Sequence, residues 1–331
     1  MKILITGSDG FIGSHLSEKL VKKGHHVKAF VYYNAFNSYG WIDTLPKKVR
    51  DKLEVFSGDI RDENLVRKAA IGCDIIIHLA ALIGIPYSYI SPQSYYETNV
   101  KGTLNILQTA KDLRIKKVIH TSTSEVYGTA KRIPIDENHP VDGQSPYSAS
   151  KIAADQMAIS FYKSFGLPLS IIRPFNTYGP RQSARAIIPT IILQLLSGKK
   201  EIALGSTGTT RDFSYIDDTV DAFVNSIAAK NIEGEIINLG SGTETSIKDL
   251  VEIISTQMNI KCKIVKDKKR IRPLKSEVNR LLSENSKAIK KLKWQPKYLG
   301  KSGLIKGLKE TINWLSKKEN LEKYKSEIYN V

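Results

Sequence analysis

Short apolar runs alternate with amphipathic stretches through the first half of the chain. Lys2–Thr6 (KILIT) is apolar and ends in a glycine-rich turn. His15–Lys22 then carries Leu16 and Leu20 at helical spacing. Val27–Val31, Leu53–Phe56, Ile75–Leu79 (IIIHL), Lys117–Thr121 (KVIHT) and Leu169–Arg173 (LSIIR) read as further strands. Tyr95–Leu113 has Leu104, Leu107 and Leu113 and reads as a helix between two of them. Strands alternating with helices predict βαβ units. Continuous rather than alternating apolar strands predict a parallel sheet buried on both faces.

The rhythm changes after Phe175. Pro174, Pro180 and Pro189 punctuate it. Strand-like Glu201–Gly205 and Glu235–Gly240 precede a helix-like Ile247–Met258. The expected fold class is α/β: a doubly wound parallel sheet with a smaller mixed α/β C-terminal substrate domain. We expect a dinucleotide-binding unit over 1–175, with later segments (about 212–240) interleaved. Residues 176–331 are expected to be mainly substrate-binding. No internal repeat or low-complexity linker shows.

At 331 residues, 41% hydrophobic and 25% charged, the chain has ordinary globular composition. No apolar run is long enough to span a membrane. MKILITGSDGFIG does not read as a signal peptide. Cys73 and Cys262 make neither a disulfide framework nor a zinc site, so no metal is expected. A cytoplasmic location is the simplest expectation. Lys and Arg total 50 against 33 Asp and Glu, a net charge of +17. The excess is diffuse and mostly Lys, densest at Lys266–Lys275, with no nucleic-acid motif beside it. It fits a solvated surface, or a small phosphate-bearing ligand, better than a nucleic acid.

Gly7, Gly10 and Gly13 form G-x-x-G-x-x-G between the first strand and the first helix. Glycines there permit a tight turn and close approach of a pyrophosphate. Backbone N–H groups of the helix start, at Phe11 and Ile12, then face an anion. Tyr147 and Lys151 are four apart in YSASK, on one helical face. A phenol is a poor base at neutral pH unless a nearby cation favours its anion. A Tyr so assisted can take the proton of a sugar hydroxyl as that carbon is oxidised.

The glycine spacing resembles that of the extended short-chain dehydrogenase/reductases, in their nucleotide-sugar-modifying branch. Further motifs agree, in order. Asp59 and Ile60 lie in GDIRD, which resembles the branch's GDxRD. Leu79, Ala80 and Ala81 complete HLAA, Asn99 lies in ETNVKGT, and RPFNTYGPR (173–181) resembles RxxNxYGPR. The resemblance implies that Asp59, Ile60, Leu79, Ala80, Ala81 and Asn99 flank the cofactor, with Asp59 at its adenine. His78 reads as a core histidine. The branch also implies a homodimer through helices near 95–113 and 148–165. An acidic residue after the second strand would favour NAD. Here Tyr32, Tyr33 and Asn34 follow instead, with no Arg for a 2′-phosphate. NAD and NADP stay open.

Thr123, Ser124 and Glu125 follow the Lys117–Thr121 strand in HTSTSEVYG. The resemblance implies that Thr123 bonds the reacting hydroxyl. Ser124 and Glu125 stand where 4,6-dehydratases carry an acid/base pair. A carboxylate at the end of a buried strand is costly unless used. Arg binds phosphate with a two-pronged fork, and Arg185, Arg211 and Arg272 are the candidates for a diphosphate. Asn176 resembles the Asn that bonds the diphosphate-sugar. The expected function is a nucleotide-sugar 4,6-dehydratase making a 6-deoxy-4-keto product, from GDP- or UDP-linked N-acetylglucosamine. The wider match is to dehydratases of legionaminic-acid-type pathways. UDP-glucuronate decarboxylase and 4-epimerase are the rivals within enzymes. A cofactor-binding scaffold without chemistry is the alternative outside them.

Overall fold

The computed structural model describes residues 1–325. Seven parallel strands form its large sheet: β1 (Lys2–Thr6), β2 (His26–Tyr32), β3 (Leu53–Gly58), β4 (Ile75–His78), β5 (Lys117–Thr121), β6 (Leu169–Pro174) and β10 (Ile236–Leu239). Their order is β10-β6-β5-β4-β1-β2-β3. The order reverses at β1, which pairs with β2 on one side and β4 on the other. A crevice forms at such a reversal, at the C-terminal ends of the strands.

The apolar runs are continuous because each strand feeds two cores. Ile3, Ile5, Ile75, Ile77 and Ile119 pack on one face, with Leu16 and Leu20 of the helix Phe11–Lys22. Leu4, Ile76 and Val118 pack on the other, with Ile106, Leu107 and Phe161. Alternate residues of a strand point to opposite faces, so both must be apolar here.

Five short strands remain: β7 (Asn176–Tyr178), β8 (Glu201–Leu204), β9 (Thr210–Tyr215), β11 (Glu244–Ser246) and β12 (Lys263–Lys266). They make two small sheets, β11-β9-β7 and β12-β8. Of the segment expected to interleave, about 212–240, β10 enters the large sheet. β9 does not: it pairs with β7 and β11. That small sheet carries its own ladder beside the crevice.

Two helices frame the site. Pro146–Phe165 starts with a reciprocal cap between Ser145 and Ser148 and stops at Gly166, whose φ is +65°. The helical stretch from Pro92 to Asp112 is broken by a wider π-helical turn at Tyr96–Lys101. Such turns recur at functional sites because they re-aim one side chain. Here that turn carries the buried Asn99. Among the described residues, no helix is long and apolar enough to cross a membrane.

Candidate active site

The glycine turn is built by close contacts. Gly7 has φ +71°, and a Cβ on it would sit 2.9 Å from the Ala80 backbone nitrogen. A Cβ on Gly13 would sit 2.0 Å from the Gly7 carbonyl oxygen. Neither position admits a side chain without moving backbone. Gly10 caps the helix Phe11–Lys22 with no side-chain bond to the first turn. The starting N–H groups at Phe11 and Ile12 are left for a ligand. This cradle fits a dinucleotide pyrophosphate.

The strand end at 79–82 forms the opposite wall. Leu79 and Ala80 donate backbone N–H bonds to Thr6 Oγ1, each at 3.1 Å. Asn99 accepts from Leu82 N–H at 2.8 Å and donates to Leu82 O at 2.9 Å. It also donates to Ser150 Oγ at 2.9 Å. Asn99 thus ties the wall to the Tyr147 helix. His78 is buried between Thr6 and Thr103 hydroxyls, and burial drives its pKa well down. Asp59 is gripped by Arg61, whose Nε lies 3.0 Å from both carboxylate oxygens. Ile60 is buried beneath it in the Ile106 core.

Tyr147 and Lys151 are both buried. The Tyr147 ring meets Tyr95 edge-on, with centroids 6.2 Å apart. Burial pushes the Tyr147 phenol up, a Thr123 hydrogen bond pulls it down, and the Glu125 charge pushes it up again. Lys151 Nζ donates to the Thr121 carbonyl at 2.7 Å. Burial lowers its pKa to about 8, against the pull of Asp155. Asp155 lies one turn further on the same helix. It accepts from Arg173 Nη2 and Ser122 Oγ, both at 2.8 Å. His120 Nε2 approaches its other oxygen at 3.3 Å.

Thr123, Ser124 and Glu125 open a short 3-10 turn, Ser124–Tyr127, and all three are buried. Thr123 Oγ1 accepts the Glu125 N–H at 3.2 Å, which fixes the turn. Glu125 does not stand alone. Arg211 Nε, on β9, lies 4.0 Å from its Oε1. Arg211 Nη2 lies 3.6 Å from Glu277, and Arg272 Nη1 lies 3.5 Å from the same carboxylate. Burial lowers the Arg211 pKa, and the Glu125 charge partly restores it. An Arg–Glu–Arg chain therefore runs from the base candidate to a cleft of about 370 Å³. That cleft is lined by Ser206, Thr209, Arg272, Leu274, Glu277 and Asn279. Arg185 stands outside the Glu125–Arg211–Glu277–Arg272 chain. It is exposed, bonds Ser183, and lies against Gly84. Asn176 sits on β7 with a buried Oδ1 that has no protein partner, an acceptor aimed for a ligand donor.

Glu277 and Asp155 escaped the sequence reading. Glu277 lies in the same RPLKSE run as Arg272, so its spacing was a signal. Asp155 had one too, at four residues beyond Lys151. Nothing local connects Asp155 to Arg173 or Glu277 to Arg211.

The family model described as GDP-mannose 4,6 dehydratase matches residues 4–306. The dTDP-D-glucose 4,6-dehydratase of Dictyostelium discoideum is 39% identical over 273 residues, 76% of this chain and 61% of its own length. A UDP-glucose 4-epimerase of Mycolicibacterium smegmatis is 32% identical over 324 residues, 96% of this chain and 99% of its own. The crystal structure of UDP-glucuronic acid 4-epimerase from Bacillus cereus, with UDP-glucuronic acid and NAD, superposes with a TM-score of 0.86. Identity there is 30%, over 95% of this chain and 99% of that one. The motifs, the doubly wound fold and these matches agree: the chain belongs to the GDP-mannose 4,6 dehydratase family of nucleotide-sugar enzymes, within the extended short-chain dehydrogenase/reductases.

Proposed function

We propose that the protein is an NAD-dependent nucleotide-sugar 4,6-dehydratase. The substrate we assign is a GDP- or UDP-linked N-acetylglucosamine, converted to its 6-deoxy-4-keto form. The observation that carries this reading is Glu125, a buried carboxylate close enough to Tyr147 for its charge to act on the phenol. Oxidation at carbon 4 needs no such base. Elimination across carbons 5 and 6 does.

NAD would be held along Gly7, Gly10, Phe11, Ile12 and Gly13, and would supply there a hydride carrier and a positive ring charge. Lys151 adds a second positive charge below its pKa of about 8. The two charges together would offset the burial that holds the Tyr147 proton on. Thr123 Oγ1 holds the carbon 4 hydroxyl, and Tyr147 Oη takes its proton. The resulting ketone acidifies the neighbouring carbon 5 hydrogen. Glu125 removes that proton and returns it to the departing carbon 6 hydroxyl, which leaves as water. The hydride lost from carbon 4 would then be returned to carbon 6 and a solvent-derived proton added at carbon 5, completing the 6-deoxy-4-keto product. Ser124, which has no acid to give, holds the path between them. Arg211 pairs with Glu125 and holds it in place, and with Arg272 and the Nδ2 donor of Asn176 it grips the diphosphate.

UDP-glucuronate decarboxylation is a second reading. It needs a cation for the sugar carboxylate, and Arg185 beside Gly84 supplies one. Incubation with GDP- and UDP-N-acetylglucosamine in deuterated water separates the two. A dehydratase forms a 4-keto product carrying deuterium at carbon 5. Carbon dioxide release from UDP-glucuronate, with no such product, would establish the second reading.

A further inference from the structure

After β2 the chain offers no acidic side chain to an adenosine ribose. Tyr32, Tyr33 and Asn34 follow, and Asn34 is spent on the backbone of its own loop. The next acid, Asp43, accepts from Ser38 Oγ at 3.1 Å and from Tyr39 N–H at 2.8 Å. Yet a carboxylate does stand at that strand end. Asp9, in the glycine turn after β1, accepts the Tyr32 N–H through Oδ2 at 3.2 Å.

Asp9 is braced there from both sides. Ser8 N–H donates to the Phe30 carbonyl at 3.2 Å, tying the turn to β2. Trp41 N–H donates to the Asp9 carbonyl at 3.0 Å. Gly40, with φ +59°, lies so close that a Cβ on it would sit 2.6 Å from the same oxygen. Tyr32 N–H occupies one carboxylate oxygen only. An ionised carboxylate has about four acceptor sites, so Oδ1 stays available. The nearby guanidinium, Arg61, is committed to Asp59 by its Nε and Nη2 and is not poised for a 2′-phosphate.

We propose that Asp9 replaces the acidic residue missing after β2: it binds the adenosine ribose 2′-hydroxyl and repels a 2′-phosphate, and so selects NAD over NADP. This rests on the reading of the glycine turn as a dinucleotide site. A free ribose diol donates to a carboxylate. A phosphate in its place puts like charges together, and a turn braced at Ser8 and Trp41 cannot withdraw.

The test titrates NAD and NADP into the purified protein by calorimetry, for wild type, Asp9→Asn and Asp9→Ser. Wild type is expected to bind NAD at least about tenfold more tightly than NADP, the scale of one charged hydrogen bond. Nucleotide released from it on denaturation should be NAD by mass spectrometry. Asp9→Asn keeps the shape and an acceptor for Tyr32 N–H but loses the charge. It should narrow the preference about tenfold. Parity in wild type overturns the proposal, as does a preference that neither variant moves. If both variants fail to fold, wild type titrated with 5′-AMP and 2′,5′-ADP carries the test, and equal affinity overturns it. If neither dinucleotide binds, the dinucleotide reading falls and takes this inference with it.

Discussion

Arg211 Nε lies 4.0 Å from Glu125 Oε1, and both side chains are almost fully withdrawn from water. The pair joins β9 of a small sheet to the turn that follows β5 of the large one. Removing Arg211 leaves Glu125 a buried charge without its partner, which is more costly than the pair, whereas removing Glu125 leaves Arg211 with Glu277 alone.

Glu125→Gln keeps the shape and removes the base. The variant should bind substrate and still oxidise carbon 4 slowly. Product formation should fall by ~10²–10⁴-fold. Exchange of the carbon 5 hydrogen with deuterated water, followed by NMR, should stop. Exchange at the wild-type rate would reduce Glu125 to a structural ion and remove the main support for dehydration.

Tyr147→Phe should abolish oxidation at carbon 4, read as the loss of cofactor absorbance change in a single turnover. Lys151→Ala removes a cation from beside the phenol, so activity should appear only at higher pH. A wild-type pH profile in either variant contradicts these roles.

Lys151 also shapes stability. Its folded pKa of about 8 lies below the ordinary 10.5. Below pH 8 both states carry the proton, and the folded state bears the cost of a buried ammonium. Between about 8 and 10.5 the unfolded state binds more protons, so stability rises with pH. Lys151→Met should therefore stabilise the protein at pH 7, by ~3 kcal/mol at most. The gain should shrink as thermal melts are repeated toward pH 10. A variant that melts lower than wild type at every pH argues against the charge penalty.

Asn99→Ala strips the backbone of Leu82 of both its bonds to the π-helical turn. Leaving such groups unpaired costs about 1–3 kcal/mol each. The variant should lose stability and bind NAD more weakly, since the Leu79–Leu82 wall is loosened. Asn99→Asp, which restores only the acceptor, should recover part of both losses in paired melting and binding measurements.

Tyr96, Leu104, Tyr162 and Phe165 leave apolar surface exposed on the two helices that frame the site. A homodimer that joins these helices into a four-helix contact would cover it. Sedimentation at micromolar concentration should give a dimer, and Leu104→Asp should give a monomer. A monomeric wild type would refute the contact.

The sheet was legible because each central strand is an unbroken apolar run. β1, β4, β5 and β6 stand in the sequence within a residue or so of their observed bounds. The glycine turn and the Tyr147/Lys151 pair were legible because their geometry is local: one turn, one helical face. β7 and β11 were not legible, since three residues carry no period. The Glu125–Arg211–Glu277–Arg272 chain was not legible either. Its members are up to about 150 residues apart in sequence and meet only because β9 lies across the crevice from β5. Asp9 is an unassigned position of the glycine turn in the sequence, because its meaning depends on where β2 ends in space.

β6 pairs with β10, which follows it by some sixty residues. A ribosome that has released the first 175 residues has delivered six of the seven strands. The flank of β6 then shows unpaired peptide groups, with Ile171 and Ile172 on either side of them. Open strand flanks of this kind invite pairing with another chain. The nascent protein must hold that flank unpaired until residue 239 emerges. Shortened products ending in the intervening segment should be sticky, and fusion partners are better placed after the last strand than between these two.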